Sequence, residues 1–563
     1  MSGKKYKDKV EQRTKEEKKA MKAKVAAKKQ DLMSELTTDV IRTYFDEDGV
    51  GDGKLFNRLH RDKIVGVIDS DDFLFWNGAH WEKAKEKQEF RAIEDVVRLY
   101  ERLAVEKEKE FDSVDKRDDP DLKKELQKQL GAIRRRIKTL REAPGQDNLK
   151  KMTARVDTPL LVYPEQLDDK PRLLPCPNGV INLETGDLEQ GRPRDYLLTA
   201  CETEYDPGLL DVEDPCPVAN DFLLRSMDGD KELVAFIWRL LGYGLIRERK
   251  DHIFMIFHGE HGRNGKDTLI KLITTTLGKA LSGDVPVEML LQTPNVKNSS
   301  GPSPDVMRLR GMCIAWINEA EENQKFALAK LKKLSGGSYI TGRSPYSKEE
   351  TSWKQTHLPI MTTNELPKAK ADDAAFWQRA LILKWNLSFV NKPDPAKPYQ
   401  RQADKYLDEK LEKERKGVLA RMVRGAIEYL KYGGLQVPEK VYRWTESQRT
   451  NWDDLAQFLS EWCVCEPGHE RIEDYKTSIS ATDLHEAFCL WYARYKDKRF
   501  SISAKKFSDL LNKKEIPAKR SNGIRRLGIT LTPDAELEIQ KVRDSNPSKT
   551  FRKNSLDTYD NIL

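Results

Sequence analysis

Residues 262–268 read Gly-Arg-Asn-Gly-Lys-Asp-Thr, and this stretch decides the fold of the central part of the chain. It follows an apolar run at residues 253–257 and precedes an apolar, helix-like segment that begins at Leu269. A buried strand, a glycine-rich turn and a helix form the layout of a phosphate-binding loop, in which backbone N–H groups, the helix N-terminus and a lysine all face a polyphosphate. The sequence therefore predicts an α/β core whose nucleotide site consists of Gly262, Arg263, Asn264, Gly265, Lys266, Asp267 and Thr268.

Two positions of this loop differ from the usual pattern. The regular spacing places a glycine where this chain has Glu260, and a Ser or Thr where it has Asp267. The usual hydroxyl ligates Mg²⁺, and a carboxylate is also a good ligand for a hard cation. We therefore expect altered metal ligation, by Asp267 or Thr268, rather than an inactive site.

Length and composition limit the classes of protein that this chain can represent. At 563 residues it is too long for one hydrophobic core, so several domains are expected. No apolar run approaches the length of a membrane span, and the lysine-rich N-terminus is not followed by the apolar region of a signal peptide. Seven scattered cysteines are typical of a reducing compartment, so we expect a cytoplasmic protein of a bacterial or other host cell.

Positive charge is concentrated near the two ends of the chain. Residues 1–30 carry twelve Lys or Arg against four acidic residues, and residues 491–530 carry twelve against three. Such clusters indicate contacts with polyanions. The alternatives are a solvated tail, which we favour for the N-terminal segment, and a solvated helix face.

Three polar residues lie at the ends of further predicted strands. Glu319 follows the apolar run 312–317, where an acidic group can help to hold Mg²⁺ and activate water; Glu321 is a weaker candidate. Asn364 follows the run 358–361 and can contact a γ-phosphate, whereas Arg379 precedes the run 380–383 and can reach the nucleotide of a neighbouring subunit. Taken singly, Glu319 is equally typical of a helix cap and Asn364 of a turn, whereas Arg379 is more typical of a surface ion pair.

In this order and spacing, the segments resemble superfamily 3 helicases, in particular the D5/P4-like group of phages, plasmids, satellites and large DNA viruses. The resemblance covers roughly residues 40–390. Its motifs in this chain are Gly262-x-Asn264-Gly265-Lys266, Asn318-Glu319, Lys333 to Gly337 with Ile340 to Arg343, Thr363-Asn364 with Leu366-Pro367, and Asp373 through Trp377 to Arg379. Upstream, Trp76-Asn77-Gly78 with Trp81, and Asn178 to Leu183, look like the D5 N-terminal region.

The resemblance implies an AAA+-like ATPase that uses ATP and Mg²⁺ and assembles as a homo-hexameric ring. Such rings translocate along single-stranded DNA, generally 3′ to 5′. It also implies catalytic roles for Lys266, Glu319, Asn364 and Arg379, with Asp267, Thr268 and Glu319 near the metal. Residues 341–357 would form the hairpin that lines the pore, where Arg343, Lys348 and Lys354 would hold DNA phosphates. We expect Trp353 of this hairpin to pack in the core rather than stack on bases.

The C-terminal region is predicted to contain three helices, a basic turn and a strand at residues 525–531, which is the outline of a winged-helix-like domain. Its positive charge lies where a helix and a wing would meet a duplex. The predicted DNA contacts are Lys505, Lys506, Lys519, Arg520, Arg525 and Arg526. A solvated face or a protein-docking surface is the alternative.

These patterns divide the chain into five regions. They are a basic tail (1–36), a D5 N-terminal-like α+β domain (37–219) with a charged, solvent-exposed helical arm (95–143), the ATPase core (220–395), a helical lid or linker (396–450), and the winged-helix-like domain with a flexible tail (451–563).

The preferred hypothesis is a replicative DNA helicase of a mobile genetic element that acts on single-stranded and forked or origin duplex DNA, with a primase or other replication protein as a partner. One alternative is an initiator whose ATPase switches assembly without unwinding. A helicase–primase fusion is disfavoured. The nearest candidate for its metal-binding carboxylates is Asp69-Ser70-Asp71, and no supporting set of carboxylates accompanies it in the sequence. A ring ATPase that remodels proteins is a third alternative.

Overall fold

The computed structural model describes residues 36–68, 73–84, 88–115, 119–292, 303–318, 325–343, 350–367, 369, 373–469, 471–496, 502–521 and 523–545. Glu319, Glu321, Lys348, the pair Asp69 and Asp71, and the tail at 1–35 lie outside the described residues. The fold is mixed α/β, as predicted. In the described part of the chain, no helix is both long enough and apolar enough to cross a membrane.

The first unit combines five helices with a small sheet. The helices are α1 (Thr38–Asp46), α2 (Asp48–His60), α3 (Gln88–Ser113), α4 (Pro120–Arg141) and α5 (Ala143–Met152). The strands β1 (Ile64–Val67), β2 (Phe73–Trp76), β3 (Trp81–Lys83) and β4 (Leu161–Val162) form a sheet in the order β3-β2-β1-β4. Strands β2 and β3 are antiparallel and are joined through Asn77-Gly78, where Gly78 has a φ of 108°.

The charged helical arm is not exposed over its whole surface, which corrects the prediction for residues 95–143. Val96, Val97 and Leu103 of α3 are fully buried in the core of this unit. The arm is also fixed by a buried polar network, in which Tyr100 Oη and the Arg136 guanidinium both donate to the Asp52 carboxylate at 2.7 Å. The Glu and Lys spacing describes only the outer face of the two helices; the apolar stripe between the charges determines where they pack.

A second small sheet leads from this unit into the central one. It is antiparallel and consists of β5 (Leu173–Cys176), β6 (Gly179–Asn182) and β7 (Leu188–Glu189). Tight turns join these strands, and Gly186 in the second turn has a φ of 83°.

The central unit is built on five parallel strands in the order β14-β8-β13-β10-β9. These are β8 (Phe254–His258), β9 (Ser282–Val285), β10 (Ile314–Asn318), β13 (Leu358–Thr363) and β14 (Ala380–Lys384). Strands β8, β10, β13 and β14 are rich in apolar residues because both faces of the sheet are covered, as parallel sheets require, whereas the edge strand β9 reads Ser-Gly-Asp-Val. The strand that precedes the glycine-rich loop is therefore second in the sheet, between β14 and β13.

Helices cover the two faces of this sheet. One face packs on α6 (Pro217–Ser226), α7 (Lys231–Leu245), α8 (Lys266–Leu277) and α13 (Arg415–Tyr432). The other face packs on α10 (Leu328–Ser335), α11 (Ala374–Trp377) and the hairpin of β11 (Tyr339–Gly342) and β12 (Thr351–Lys354). Helices α7 and α13 approach so closely that a Cβ on Gly242 would lie 2.2 Å from the backbone N of Ala426. A short helix α9 (Pro304–Met307) contacts β11.

The remaining elements of the central unit follow β14. Strands β15 (Ser388–Val390) and β16 (Gln400–Gln402) pair in parallel, and α12 (Leu407–Glu412) precedes α13. Helix α14 (Glu439–Asn451) packs along the outer edge of β14, where Thr445 Oγ1 accepts a hydrogen bond of 2.9 Å from the backbone N of Ile382.

The last unit has its own core, centred on Phe458, Phe488 and Trp491. Its helices are α15 (Asp454–Trp462), α16 (Ala481–Tyr495), α17 (Ala504–Lys513) and α18 (Pro533–Ser545). Its strands are β17 (Cys463–Cys465), β18 (Ser478–Ser480), β19 (Ala518–Arg520), β20 (Ile524–Leu527) and β21 (Ile529–Leu531). The single strand predicted at 525–531 is two strands, because Gly528 adopts a φ of 69° between them. Strands β18, β20 and β19 form an antiparallel sheet.

Candidate nucleotide site and basic surfaces

The glycine-rich loop joins the carboxyl end of β8 to the first turn of α8 and has a strongly constrained backbone. Arg263 and Gly265 have φ values of 59° and 94°. A Cβ at Gly265 would also lie 2.9 Å from the ring of Phe222, so only glycine fits there. The buried side chain of Asn264 braces the turn: Nδ2 donates to the carbonyl of His261 at 2.6 Å, and Oδ1 accepts from the backbone N of Lys266 at 3.4 Å. The loop is therefore shaped before any ligand binds.

Lys266 connects this loop to the end of the neighbouring strand. Its side chain is buried, and Nζ donates to the carbonyl of Thr363 at 2.7 Å and to Asn364 Oδ1 at 2.8 Å. The structure thus brings together two predicted site residues that are separated by 98 positions in the chain. The Asn364 side chain is exposed, so the amide and the lysine share one solvent-accessible edge of the sheet.

Two further residues at this edge of the sheet, Asp284 and Thr362, were not identified as site residues from the sequence. Asn318, at the end of β10, accepts a hydrogen bond from Thr362 Oγ1 at 2.9 Å and donates to Asp284 Oδ1 at 3.0 Å. Asp284 lies in β9 and Thr362 in β13, and they come close to Asn318 only because these two strands flank β10 in the sheet. The chain between Asn318 and Asp284 gives no signal for this contact. Glu319 follows Asn318 directly but is outside the described residues.

His258, the last residue of β8, contacts the same edge of the sheet. Burial lowers the pKa of His258, so its ring is neutral at neutral pH, and Nε2 lies 3.1 Å from the carbonyl of Asn364. A neutral ring that donates to this carbonyl positions Asn364 without adding a second cation beside Lys266.

Asp267 and Thr268 lie in the first turn of α8, with Asp267 exposed and Thr268 half-buried. Among the described residues, Asp267 has no recorded hydrogen-bond or ion-pair partner. A carboxylate and a hydroxyl are oxygen ligands of the type that Mg²⁺ prefers, so this donor set fits the metal. An acidic residue in the first turn also stabilises a helix through its dipole, and that simpler role applies to Asp267 as well.

Arg379 lies at the opposite end of the sheet from Lys266. Its carbonyl accepts from the backbone N of Phe254, the first residue of β8, and its guanidinium donates to the carbonyl of Ala375 at 2.7 Å. The length of β8, at about 3.3 Å per residue, therefore separates it from the loop. Arg379 lines a cleft of about 640 Å³ together with Lys250, His252 and Tyr442. Arg379 therefore cannot reach the glycine-rich loop of the same chain.

The β11–β12 hairpin divides its residues between the core and the surface. Trp353 is 9% exposed and pairs with the buried Ile340, so the prediction that it packs in the core is confirmed. Lys354 is exposed opposite Tyr339, and Arg343 is half-buried, with its backbone N bonded to Ser303 Oγ at 3.0 Å. Lys348, which lies between these two strands in the sequence, is outside the described residues.

The basic residues of the last unit also differ in exposure. Lys505 and Lys506 are exposed in the first turn of α17, and Lys519 and Arg520 are exposed on β19. Arg525 is half-buried, and its guanidinium donates to the carbonyl and hydroxyl of Ser478. The side chains of Lys505, Lys506, Lys519 and Arg520 are therefore accessible to a polyanion.

Arg526 was wrongly predicted to contact DNA. Only 1% of this residue is exposed, and its guanidinium donates to Asn512 Oδ1 at 2.6 Å and to the carbonyls of Ile516 and Ser508 at 2.8 and 2.9 Å. Neighbouring residues of a strand point to opposite faces, so Arg525 and Arg526 cannot both face a duplex. Arg526 instead fastens β20 to α17.

Three comparisons place the chain among known proteins. Residues 53–227 match the family described as D5 N terminal like. The chain is 27% identical over 334 residues to "Putative helicase L207/L206" of Acanthamoeba polyphaga mimivirus, covering 58% of this chain and 33% of that protein. It is 25% identical over 371 residues to "Putative helicase 121R" of Invertebrate iridescent virus 3, covering 62% of this chain and 38% of that protein. It is 24% identical over 357 residues to "Putative primase C962R" of African swine fever virus (strain Badajoz 1971 Vero-adapted), covering 58% and 34%.

The matched region of each of these relatives is thus little more than a third of its length. Among solved structures, the apo C-terminal region of NrS-1 aligns with a TM-score of 0.36 and 13% identity, over 62% of this chain and 88% of that one. A TM-score this low does not establish a common fold.

Proposed function

Since this chain resembles the D5-like superfamily 3 helicases, we propose that it is an ATP-dependent DNA helicase that replicates a phage, plasmid or satellite element. The observation that carries the proposal is the contact between Lys266 Nζ and Asn364 Oδ1 at 2.8 Å. A lysine and an amide that meet at the carboxyl ends of adjacent parallel strands form a ready site for the terminal phosphates of ATP. The loop amides and the α8 N-terminus would hold the remaining phosphate oxygens.

The chemistry requires four tasks, which we assign to different residues. Lys266 neutralises the β- and γ-phosphates, and the oxygens of Asp267 or Thr268 hold Mg²⁺, which neutralises developing charge when it is bound. Glu319 activates the attacking water, and Asn364 contacts the γ-phosphate. Thr362 Oγ1 donates to Asn318 Oδ1, and Asn318 Nδ2 donates to Asp284 Oδ1, so these hydrogen bonds fix the carboxyl end of β10.

The position of Arg379 supports a ring in which neighbouring subunits share each site. An arginine at the far end of β14 is useful for catalysis only when another copy presents its loop to it. The strand order and the helices on both faces are consistent with the AAA+-like core that the resemblance implies. We propose a homo-hexamer that moves along single-stranded DNA in the 3′ to 5′ direction.

The deciding experiment is strand displacement on a forked duplex with either a 3′ or a 5′ tail, in the presence of Mg²⁺ or Mn²⁺. We expect ATP-dependent displacement by the wild-type protein from one tail polarity and none by Lys266→Ala. ATP-dependent assembly without displacement would instead support an initiator that uses ATP as a switch. Stimulation of hydrolysis by single-stranded DNA would argue against a ring that remodels proteins.

A primase activity is a second candidate, because one relative that the chain matches is named a primase. The shared region is only a third of that relative, and Asp69 and Asp71 lie outside the described residues. Primer synthesis on a single-stranded template tests this candidate directly, with Asp69→Asn as the matched variant. Absence of product in the wild-type protein would remove it.

We expect Lys354→Ala and Lys348→Ala to reduce the stimulation of ATP hydrolysis by single-stranded DNA severalfold, while basal hydrolysis is unchanged. Lys354 is exposed on the hairpin, away from the loop and from Lys266, and its loss removes a phosphate contact. Hydrolysis is measured with and without oligonucleotide, with Lys413→Ala as an exposed lysine control. Unchanged stimulation in both hairpin variants would remove this hairpin from the DNA path.

We expect Lys519→Ala combined with Arg520→Ala to weaken duplex binding equally for all sequences. Two lost phosphate contacts should reduce the slope of log affinity against log salt concentration by about two. Basal ATP hydrolysis should not change, since β19 belongs to a separate core. Binding is titrated by fluorescence anisotropy at several salt concentrations, with Lys541→Ala as the control. An unaltered slope would indicate a solvated or protein-docking surface.

A further inference from the structure

A pair of stacked aromatic rings lies beside the phosphate-binding loop. The rings of His261 and Tyr399 have centroids 3.9 Å apart and planes inclined by 19°. His261 directly precedes Gly262, and Tyr399 directly precedes β16. Both residues are only half-buried, so the stack is open to solvent. The proposed chemistry of hydrolysis assigns no role to either ring.

Hydrogen bonds fix these rings relative to the loop. Ser388 Oγ donates to the carbonyl of Gly262 at 2.8 Å, and the backbone N of Phe389 donates to the carbonyl of Arg263 at 2.8 Å. The backbone N of Ser388 also donates to the carbonyl of Tyr399 at 2.9 Å. Tyr399 is therefore positioned by the same residue that contacts the loop, rather than by an independent surface segment.

The topology of the sheet decides which end of a nucleotide reaches this stack. The loop lies between β13 on one side and β14 on the other. The β13 side carries Thr363 and Asn364, whose oxygens meet Lys266 Nζ, so it is the side of the terminal phosphate. The nucleoside must then extend towards the β14 side, from which residues 388–399 continue.

We propose that His261 and Tyr399 form the base subsite of the nucleoside triphosphate, with the purine ring continuing their stack. This inference rests on the proposed function, because it assumes that the loop holds a triphosphate. Every base has a π face, and stacking does not read its hydrogen-bonding edge. The subsite therefore favours purines, whose ring system is larger, and discriminates weakly between ATP and GTP.

The test measures steady-state hydrolysis of ATP, GTP, CTP and UTP, and inhibition by inorganic tripolyphosphate, which has no base. Tyr399→Ala should raise the KM for ATP about tenfold, a typical effect of one lost aromatic stack, with kcat changed less than twofold. The Ki of tripolyphosphate should not change, because the loop is intact. Tyr399→Phe keeps the ring and should behave as wild type. Tyr406→Ala removes an exposed tyrosine of the same region and is the matched control.

Two results with the Tyr399 variant would overturn this subsite while the proposed function stands. One is an unchanged KM in Tyr399→Ala, and the other is a parallel rise in KM and in the Ki of tripolyphosphate, which would show that Tyr399 only supports the loop. CTP and UTP used as efficiently as ATP by the wild-type protein would also contradict it. A wild-type protein that neither binds nor hydrolyses ATP would overturn the proposed function as well.

Discussion

Replacement of Lys266 by alanine is expected to lower the rate of ATP hydrolysis by a factor of about 10² to 10³, which is the usual effect of removing one preorganised donor from a transition state. The loss is large because Nζ is buried and already directed at the edge formed by Thr363 and Asn364. A phosphate oxygen that enters this edge replaces a neutral acceptor with a charged one, which strengthens the contact. Hydrolysis is measured by phosphate release at saturating ATP.

Lys271 provides the matched control on the same helix. It is exposed and pairs with Asp408, so Lys271→Ala should leave hydrolysis unchanged. Thermal unfolding of both variants separates lost chemistry from lost structure, since Lys266→Ala also removes two buried hydrogen bonds. A Lys266→Ala protein that retains hydrolysis while folded would refute the assignment of this loop as the ATP site.

Replacement of Arg379 by alanine is expected to reduce hydrolysis by about 10³-fold or more, as for other arginines that act on a neighbouring subunit's nucleotide. The reason is positional: Arg379 is at the amino end of β14 and Lys266 is beyond the carboxyl end of β8. In the proposed ring, each variant would therefore damage a different half of a site shared by two subunits. A mixture of Lys266→Ala and Arg379→Ala proteins should regain activity, because some interfaces then combine an intact loop with an intact arginine.

Mixing is followed by phosphate release as a function of the ratio of the two proteins, with each variant alone as the baseline. Arg443→Ala, which removes an exposed arginine of α14, is the control for loss of positive charge. Inactivity of Arg379→Ala without any recovery on mixing would assign Arg379 a structural role within its own subunit. Full activity of Arg379→Ala would remove it from the mechanism.

The sequence predicted best those features that depend on neighbours in the chain. The loop after β8 is readable because an apolar run, glycines and a lysine lie within a dozen residues. The turn at Asn77-Gly78 is local in the same sense. The break between α3 and α4 is local as well, because the Asp119 carboxylate accepts from the backbone N of Leu122 and Pro120 begins the helix.

Features that depend on distant parts of the chain were missed or misjudged. Asp284 meets Asn318 only because β9 and β10 are neighbours in the sheet, which no local pattern reveals. Arg526 looked like part of a basic surface, and its burial follows from the position of Gly528 and from the acceptors offered by Asn512 and Ser508. For the helical arm, the sequence showed which positions are charged, but it did not show that the apolar residues between them pack in the core of the first unit.

The hydrogen bond between Thr445 and Ile382 affects the tendency of this protein to aggregate at high concentration. An uncovered outer strand of a sheet offers unpaired N–H and carbonyl groups, on which a strand of another molecule can add and start aggregation. Here α14 lies along β14, and its threonine hydroxyl occupies one of those N–H groups. Because this edge is covered, another molecule cannot readily add a strand to β14 through backbone hydrogen bonds, and association depends on side-chain contacts instead. Thr445→Val should therefore increase turbidity on concentration before it affects hydrolysis.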